Sequence, residues 1–512
     1  LRENGVCVPG VLLPIQEGCK IIKCPDLVQH DCKRTMTRWH LSGAQDLNIH
    51  EDCLCNQLRS ARNRVLQRLP QPSDAGAERL LTAALRLAKQ VGRTAPLETD
   101  DQIVASFPPC RRRKYREVLT DLRGRPFKDT DAFLNAFVKC EKIPIVESNK
   151  DPRMIQARSC RYNATVARYL KPLEHRLYLI QNHGLRCVAK GMNERQRARS
   201  LKRMWDKREN PVALSLDQSR WDAHCSKAFL TAEHKVYSQC CPDARFARLM
   251  RMQLRNRVYT RHGLVYQCEA RRMSGDMNTA LGNCLGCVLT IRIVLERLGM
   301  RSRADFLVDG DDHVIVIEED DLQHFLAGYA QEYLQLGFEV TCDGVARRFG
   351  DITFCQSKPV YHHGTWEMMP RLSKVLSGAF VVPGNRTPCT RETHTECSLE
   401  CEVAYCQELW AMRALLHQGQ PVLGPLFYRL CGGKLPRHKF HPSHGVEVRF
   451  RVDQRPAFVW TDVEAESMVE YCRQNDIPID AGYDAELAEI SFGQPGIRQI
   501  TTYDNQVVST VL

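Results

Sequence analysis

No apolar run in this 512-residue chain approaches the roughly 20 residues that a membrane span requires. If the protein works at a membrane, something else must hold it there. No signal peptide pattern is present either, and the 24 cysteines are scattered through a long chain rather than crowded into a small scaffold. Reduced thiols in a cytosolic compartment are therefore expected. The CxxC…CxxC and C2H2 spacings of zinc modules are missing. Cys24, His30, Cys32 and the pair Cys53/Cys55 leave a zinc site open near the N-terminus, against the expectation of free thiols in a poorly packed extension. The first residue is Leu rather than Met, so a fragment or the downstream part of a longer translation product is expected. Acid is the scarcer charge, with 60 Asp and Glu against 72 Lys and Arg and a formal net charge of +12. That balance favours a polyanionic partner without proving one. The imbalance is uneven: from Thr461 to Leu512 ten acidic residues face two basic ones, so this tail carries −8 and the rest +20.

With 43% hydrophobic residues the chain can bury a large core, and its length implies several domains or one multi-lobed enzyme. Its most informative stretch is Phe306–Ile317, FLVDGDDHVIVI. Two runs of strand-formers around an Asp-Gly step predict a hairpin, with Gly310 taking a backbone angle that other residues avoid. The tip gathers Asp309, Asp311 and Asp312, which repel one another unless cations hold them. The alternative is an acidic tip in plain solvent. A second acidic pair favours the first reading: in VALSLDQSRWDAHCS, alternating Val212, Leu214 and Leu216 predict a strand ending at Asp217, and Asp222 follows. Carboxylates brought together this way can hold two divalent ions ~3.5–4 Å apart for in-line displacement at phosphorus. Mg²⁺ suits such a site, because it takes one or two carboxylates and completes its octahedron with water and phosphate. Between the two acidic stretches, SGDMNTALGN predicts a Ser274-Gly275 loop entering a helix, with Thr279 and Asn283 one turn apart on one face.

The ordered set D-x4-D, SG-x4-T-x3-N and GDD resembles motifs A, B and C of the palm of viral RNA-dependent RNA polymerases. DQSRWDAH, AKGMN (Ala189 to Asn193), RMIQARSCRYN (Arg153 to Asn163) and FCQSKPV (Phe354 to Val360) are similar to the polymerases of tombusviruses and their relatives among positive-strand RNA viruses. The resemblance spans roughly Ala136 to Arg371. It implies an α+β right-hand fold, with an antiparallel-sheet palm and mainly helical fingers and thumb. The expected divisions are a Cys/His-rich extension at 1–75, fingers at 76–210, palm at 211–360, and thumb with acidic tail at 361–512. It implies copying of an RNA template from NTPs with two Mg²⁺, for which Mn²⁺ can substitute, bound by Asp217 and Asp311 with Asp312 in support. Asp222 and Asn283 are expected to sense the ribose 2′-hydroxyl with Thr279 nearby, and Ser274-Gly275 to form a moving loop.

The basic stretch from Lys139 to Arg161 matches motif F, a fingers ribbon over the nucleotide tunnel. Six cations with few neighbouring acids favour a role there over an ion-paired loop. Arg153 and Arg158 are expected on the triphosphate, and Lys139, Lys142, Lys150 and Arg161 on RNA. Asp309 departs from the family, where a neutral polar residue is common; it either adds metal affinity or points into solvent. Arg347, Arg348 and Lys358 are candidates for the acid that protonates pyrophosphate, and Lys358 also for RNA contact in the primer-gripping hairpin of motif E. CRRRKYREVLTDLRGRPFK carries eight basic residues against Glu117 and Asp121, either as a solvated helix face or along an RNA path. The acidic tail folds back on the RNA channel or is solvated surface. Implied partners are RNA, NTPs and a separate viral or host factor that recruits the enzyme to the cytoplasmic face of a membrane in the host cell. Two rival functions remain: a reverse transcriptase, opposed by Asp222 and Asn283, and a catalytically silent RNA-binding scaffold, opposed by the complete acidic set.

Overall fold

The computed structural model describes residues 12–27, 47–144, 150–362 and 364–370, with short pieces at 2–3, 6–7, 32–33, 36–39, 375, 381–383, 410–414, 427, 497–501 and 507–511. Most of the expected thumb and acidic tail lie outside the described residues, as does the segment HTECSLECEVAYCQELWAMRALL (394–416), whose sequence implies a helix, apart from 410–414.

Helices and sheets are mixed, and two sheets organise them. The first is antiparallel, with strands in the order Asp305–Asp309, Asp312–Glu318, Pro211–Gln218 and Val340–Ala346. Apart from the edge strand Val340–Ala346, its strands are apolar on both sides because both faces are covered. Val212, Leu214, Leu216, Phe306, Val308, Ile315 and Ile317 face a large core. Ala213, Leu307, Val314, Val316 and Ala346 face a smaller one with Met192, Ala198, Leu201 and Met204. The helix Thr279–Arg297 runs through the large core and is buried on nearly all sides. It is the one described helix long and apolar enough to cross a membrane, and packing against protein accounts for its composition.

The second sheet orders Lys20–Lys23, Val265–Glu269, Arg255–Thr260, Leu134–Val138 and Met154–Arg158. One of its pairings, between Arg255–Thr260 and Leu134–Val138, is parallel. Alternation is strict in Leu134–Val138 and Met154–Arg158, so one face of each strand is buried. That buried face packs on Leu58, Ala61, Val65 and Leu66 from the N-terminal region. The expectation of a poorly packed extension therefore fails for residues 54–66. The segment LCNQLRSARNRV is a helix that continues into a π-turn, and its apolar residues complete the core of this sheet.

The segment ERLLTAALRLAKQV, apolar at three- and four-residue intervals, lies in the helix Asp74–Val91, with the Ser73 hydroxyl accepting from the Gly76 amide at its start. It packs against Lys227–Cys240. The amphipathic helix after the acidic hairpin spans Leu322–Gln335 and leads into the edge strand of the first sheet, as the sequence implies.

Near the N-terminus Cys53 and Cys32 bring their sulfurs to 3.8 Å, while the Cys24 thiol is exposed and turned to the Pro25 carbonyl. His30 lies outside the described residues. Among the described residues no group of three His, Cys, Asp or Glu side chains converges as a metal cage.

Candidate active site

Strand register brings the distant acids to one end of the first sheet. Asp309 pairs with Asp312, leaving Gly310 and Asp311 as a two-residue turn. Gly310 has φ +78°, while Asp311 is absent from the residues with positive φ, as in a type II′ turn with glycine first. On the other side of Asp312–Glu318 the last ladder pair is Leu216 with His313, so Asp217 leaves its strand beside Asp312 and the turn.

The electrostatics confirm that these acids face one another. Burial, then the carboxylates of Asp343 and Asp311, push the Asp217 carboxyl above its usual range, while Arg153 and Lys150 act against the shift. Burial and Asp311 lift Asp222 to about 6, while Arg272, Arg153 and a hydrogen bond from Asn283 hold it down. Asn283 thus lies close enough to act on the Asp222 carboxyl.

Asp222 sits on the short helix Trp221–His224, entered through Arg220 at φ +50°. That backbone angle is costly for a residue with a side chain, and it aims the helix at the turn. Asp343 was not singled out from the sequence. It lies at the irregularity where Ser215 pairs with Gly344 and Leu216 with Cys342, which turns it toward Asp217. Its only sequence signal is an Asp-Gly step in the edge strand.

The donor set fits divalent cations. Burial and the carboxylates of Asp343 and Asp311 act on Asp217 together, and Arg153 and Lys150 do not bring it back to its ordinary value. Among the described residues no three His, Cys, Asp or Glu side chains converge closely enough to cage an ion by themselves, so any ion here would take one or two carboxylates and complete its shell from water and phosphate.

Asp309 takes neither of its expected roles. Its side chain is 7% exposed and bridges Lys190 and Arg197, each at 2.5 Å. Lys190 and Arg197, the latter on the helix Glu194–Trp205, hold it as a buried ion pair instead. The AKGMN segment supplies the pairing Lys190 and also runs beside the hairpin, with Ala189 donating to the Val308 carbonyl at 2.8 Å and Val308 to Cys187 at 2.9 Å.

The Ser274-Gly275 loop is stitched to the motif F strand. The Gln156 amide donates to Ser274 Oγ at 3.0 Å, and Gly275 donates to the Gln156 carbonyl at 2.9 Å. A methyl group on Gly275 would lie 2.6 Å from Ala157 Cα, so only glycine permits this approach. Thr279 begins the helix, and its hydroxyl donates to the Met273 carbonyl at 2.7 Å, tying the loop to the helix start.

The basic stretch divides. Arg153 is exposed and close enough to the acids to act on both Asp217 and Asp222, and Lys150 acts on Asp217. Arg153 and Lys139 share Glu141, at 3.5 and 2.9 Å. Lys142 is half-buried, and residues 145–149 lie outside the described residues.

Arg158 does not reach a nucleotide site. Its side chain is fully buried, ion-paired with Asp276, and bonded to the Ala132 carbonyl and Asn256 Oδ1 at 2.6 Å each. Arg161 is likewise committed, to Asp121, to Asp131 at 3.0 Å and to the carbonyls of Arg125 and Pro126. The scarcity of acids near these cations in sequence misled, because folding supplies the partners. Arg347 and Arg348 are also excluded as acids at the reacting end. They pair with Glu319 and Asp351, at 2.8 and 2.7 Å. Ala346 pairs with Ala213, four residues from Asp217, so they lie about 13 Å or more from it. Lys358 lies on the hairpin Ser357–His362 with Thr365–Pro370, the position expected for motif E.

Comparison with known proteins agrees with the site. A family model described as viral RNA dependent RNA polymerase matches residues 27–408. The chain is 33% identical over 353 residues to the RNA-directed RNA polymerase of Groundnut rosette virus (strain MC1), covering 67% of this chain and 41% of that protein. It is 32% identical over 391 residues to that of Tobacco necrosis virus (strain A), covering 72% and 53%. With that of Tomato bushy stunt virus (strain Cherry) it shares 30% over 343 residues, covering 64% and 42%. The chain thus spans about half the length of the curated relatives it matches. A model matching three quarters of the sequence, on acids that the fold brings to one turn, shows that this chain belongs to the viral RNA-dependent RNA polymerase family.

Proposed function

We propose that the chain copies RNA from an RNA template using NTPs, and that its described residues form the fingers and palm of a right-hand polymerase. The observation that carries this reading is the register placing Asp217 beside the Gly310-Asp311 turn, with Asp222 and Asn283 paired next to it. In this reading the antiparallel sheet is the palm. The five-stranded sheet and its helices are the fingers, and the thumb falls beyond residue 361.

In the reaction the 3′-hydroxyl oxygen of the growing strand bonds to the α-phosphorus of the NTP. The bond from that phosphorus to the bridging oxygen breaks, pyrophosphate leaves and the hydroxyl proton is lost. Divalent ions, Mg²⁺ by the hardness of the donors, would be held by Asp217 and Asp311 and would supply charge neutralisation to the attacking and leaving oxygens. Arg153, with Lys150 behind it, meets the triphosphate. Asp222 and Asn283 present a polar pair to the ribose 2′-hydroxyl, and a sugar without that group leaves them unsatisfied. Recruitment to a membrane falls to a separate factor.

The test is template-directed incorporation by the purified chain, with and without primer, offering NTPs or dNTPs. Ribonucleotide incorporation on an RNA template supports the proposal. Preference for dNTPs favours the reverse transcriptase, and RNA binding with no incorporation under any metal favours the silent scaffold.

A further inference from the structure

Behind the Asp222–Asn283 pair stands a residue that the motif pattern does not mark. Arg272 is 2% exposed and touches both partners. Its backbone amide donates to the Asp222 carbonyl at 2.9 Å, and its Nε donates to Asn283 Oδ1 at 3.0 Å. A guanidinium has donors only, so the carboxamide atom facing it must be the oxygen. That leaves the NH2 group of Asn283 as the part of the amide available to the Asp222 carboxylate beside it, whose charged form it favours.

We propose that Arg272 is the positioning residue for sugar selection: by holding Asn283 Oδ1 it fixes the one amide orientation in which Asn283 and Asp222 together can read a 2′-hydroxyl. The proposal rests on the polymerase reading above and deepens it. Arg272 does not touch substrate; it acts through Asn283.

The surroundings hold Arg272 in place. Glu233 receives both terminal nitrogens, Nη1 at 3.1 Å, and is itself buried. Glu233 also accepts from Asn278 Nδ2 and from the Tyr237 hydroxyl, each at 2.9 Å, and Gln253 donates to Asn278 Oδ1 at 2.8 Å. Burial works against the Glu233 carboxylate, but the Arg272 guanidinium keeps it below its ordinary range, so the pair stays charged. Gly282, one residue before Asn283, makes room: a Cβ there would lie 2.6 Å from Arg272 Nη2. The chain reaches Arg272 through Ala270 and Arg271, at φ +56° and +70°, two successive left-handed residues that are not glycine. Such a backbone persists only where its surroundings enforce it.

A core ion pair without influence on selectivity would look alike in a stability assay, so the test reads the sugar. Arg272→Lys keeps a charge for Glu233 but loses the planar fork that serves Asn283 and Glu233 together. Arg272→Met with Glu233→Gln removes both buried charges, so that no carboxylate is stranded if the single variant folds poorly. Glu233→Gln alone keeps Arg272 on Asn283. The preference for NTP over dNTP, as a ratio of kcat/KM, is expected to fall about tenfold in the first two variants and to stay within twofold of the parent in the third, although its melting temperature drops. Wild-type selectivity in Arg272→Lys and in the double variant would overturn the proposal. If the parent chain incorporates neither sugar, the polymerase reading has failed. Equilibrium binding of ATP against dATP to the protein–RNA complex then still decides: a preference lost in Arg272→Lys upholds the positioning role, and equal preference in both overturns it.

Discussion

The acidic turn and the motif F strand handle charge in opposite ways. At the turn, Asp217 lies near Asp311 and Asp343, and burial and then their repulsion push its carboxyl upward. Two residues before Asp311, the Asp309 side chain is buried and neutralised by Lys190 and Arg197. The strand Met154–Arg158 repeats the division in cations. Arg153 at its start is exposed toward the acids, whereas Arg158 at its end is buried against Asp276. In both places the buried, paired charge builds the scaffold, and the more exposed charge, Arg153 with its looser contact to Glu141 among it, is left to meet a ligand of opposite sign. A charged residue in a motif is therefore assigned by what folding sets against it.

The largest expected effect breaks the acidic side of this comparison. Asp311→Ala or Asp217→Asn should lower nucleotide incorporation about 10³-fold or more, with RNA affinity by filter binding nearly unchanged. Retained synthesis in either would end the assignment. Next come the two arginines. Arg158→Gln strands a buried Asp276 and should cost roughly 3–5 kcal/mol of stability, seen as a lowered melting temperature. Arg153→Gln should leave melting unchanged and raise KM for NTPs about 10- to 100-fold, the worth of a hydrogen bond between charged groups. Exchange of those two outcomes would reverse the division drawn here.

A smaller effect concerns pH. Burial lowers His234 from 6.5 to about 4. The unfolded chain takes up that proton near pH 6.5 and the folded chain only near 4. Stability is therefore complete above 6.5 and declines as pH falls toward 4, by on the order of 3 kcal/mol at most. Asp222, raised to about 6, acts in the opposite direction over the lower part of the window. His234→Gln should flatten the decline measured by denaturant unfolding between pH 7 and 4. Smallest is the salt dependence of RNA binding. Lys150→Gln should reduce the slope of log K against log salt by about 0.7 on single strands, while Arg161→Gln should leave it unchanged.

Much of the site was legible because its chemistry is written in short spacings. Alternation ending at Asp217, the Asp-Gly step at 309–310 and the i, i+4 relation of Thr279 and Asn283 each specify local geometry, and register then unites them. What misled was charge counted along the sequence. Asp276 lies 118 residues from Arg158, and Asp131 lies 30 from Arg161, so no window of neighbours could pair them. Arg272 was invisible for a related reason: its value depends on meeting Glu233 and Asn283, 39 and 11 residues away. Residues 54–66 read as a loose extension because their apolar positions follow a helix that becomes a π-turn, which disturbs the 3.6-residue period. Asp343 was missed because a bulge, not the strand period, turns it toward Asp217.

The seam between Gly275 and the strand Met154–Arg158 bears on how this protein can change. The backbones meet so closely there that no side chain fits at 275, and Ser274 is occupied by the Gln156 amide. A small molecule wedged against that seam would press on main-chain atoms, whose shape is common to every amino acid. Escape by exchange at 275 is closed, so resistance would have to arise from residues at the rim of the seam, and those are the positions to sequence first in selection experiments.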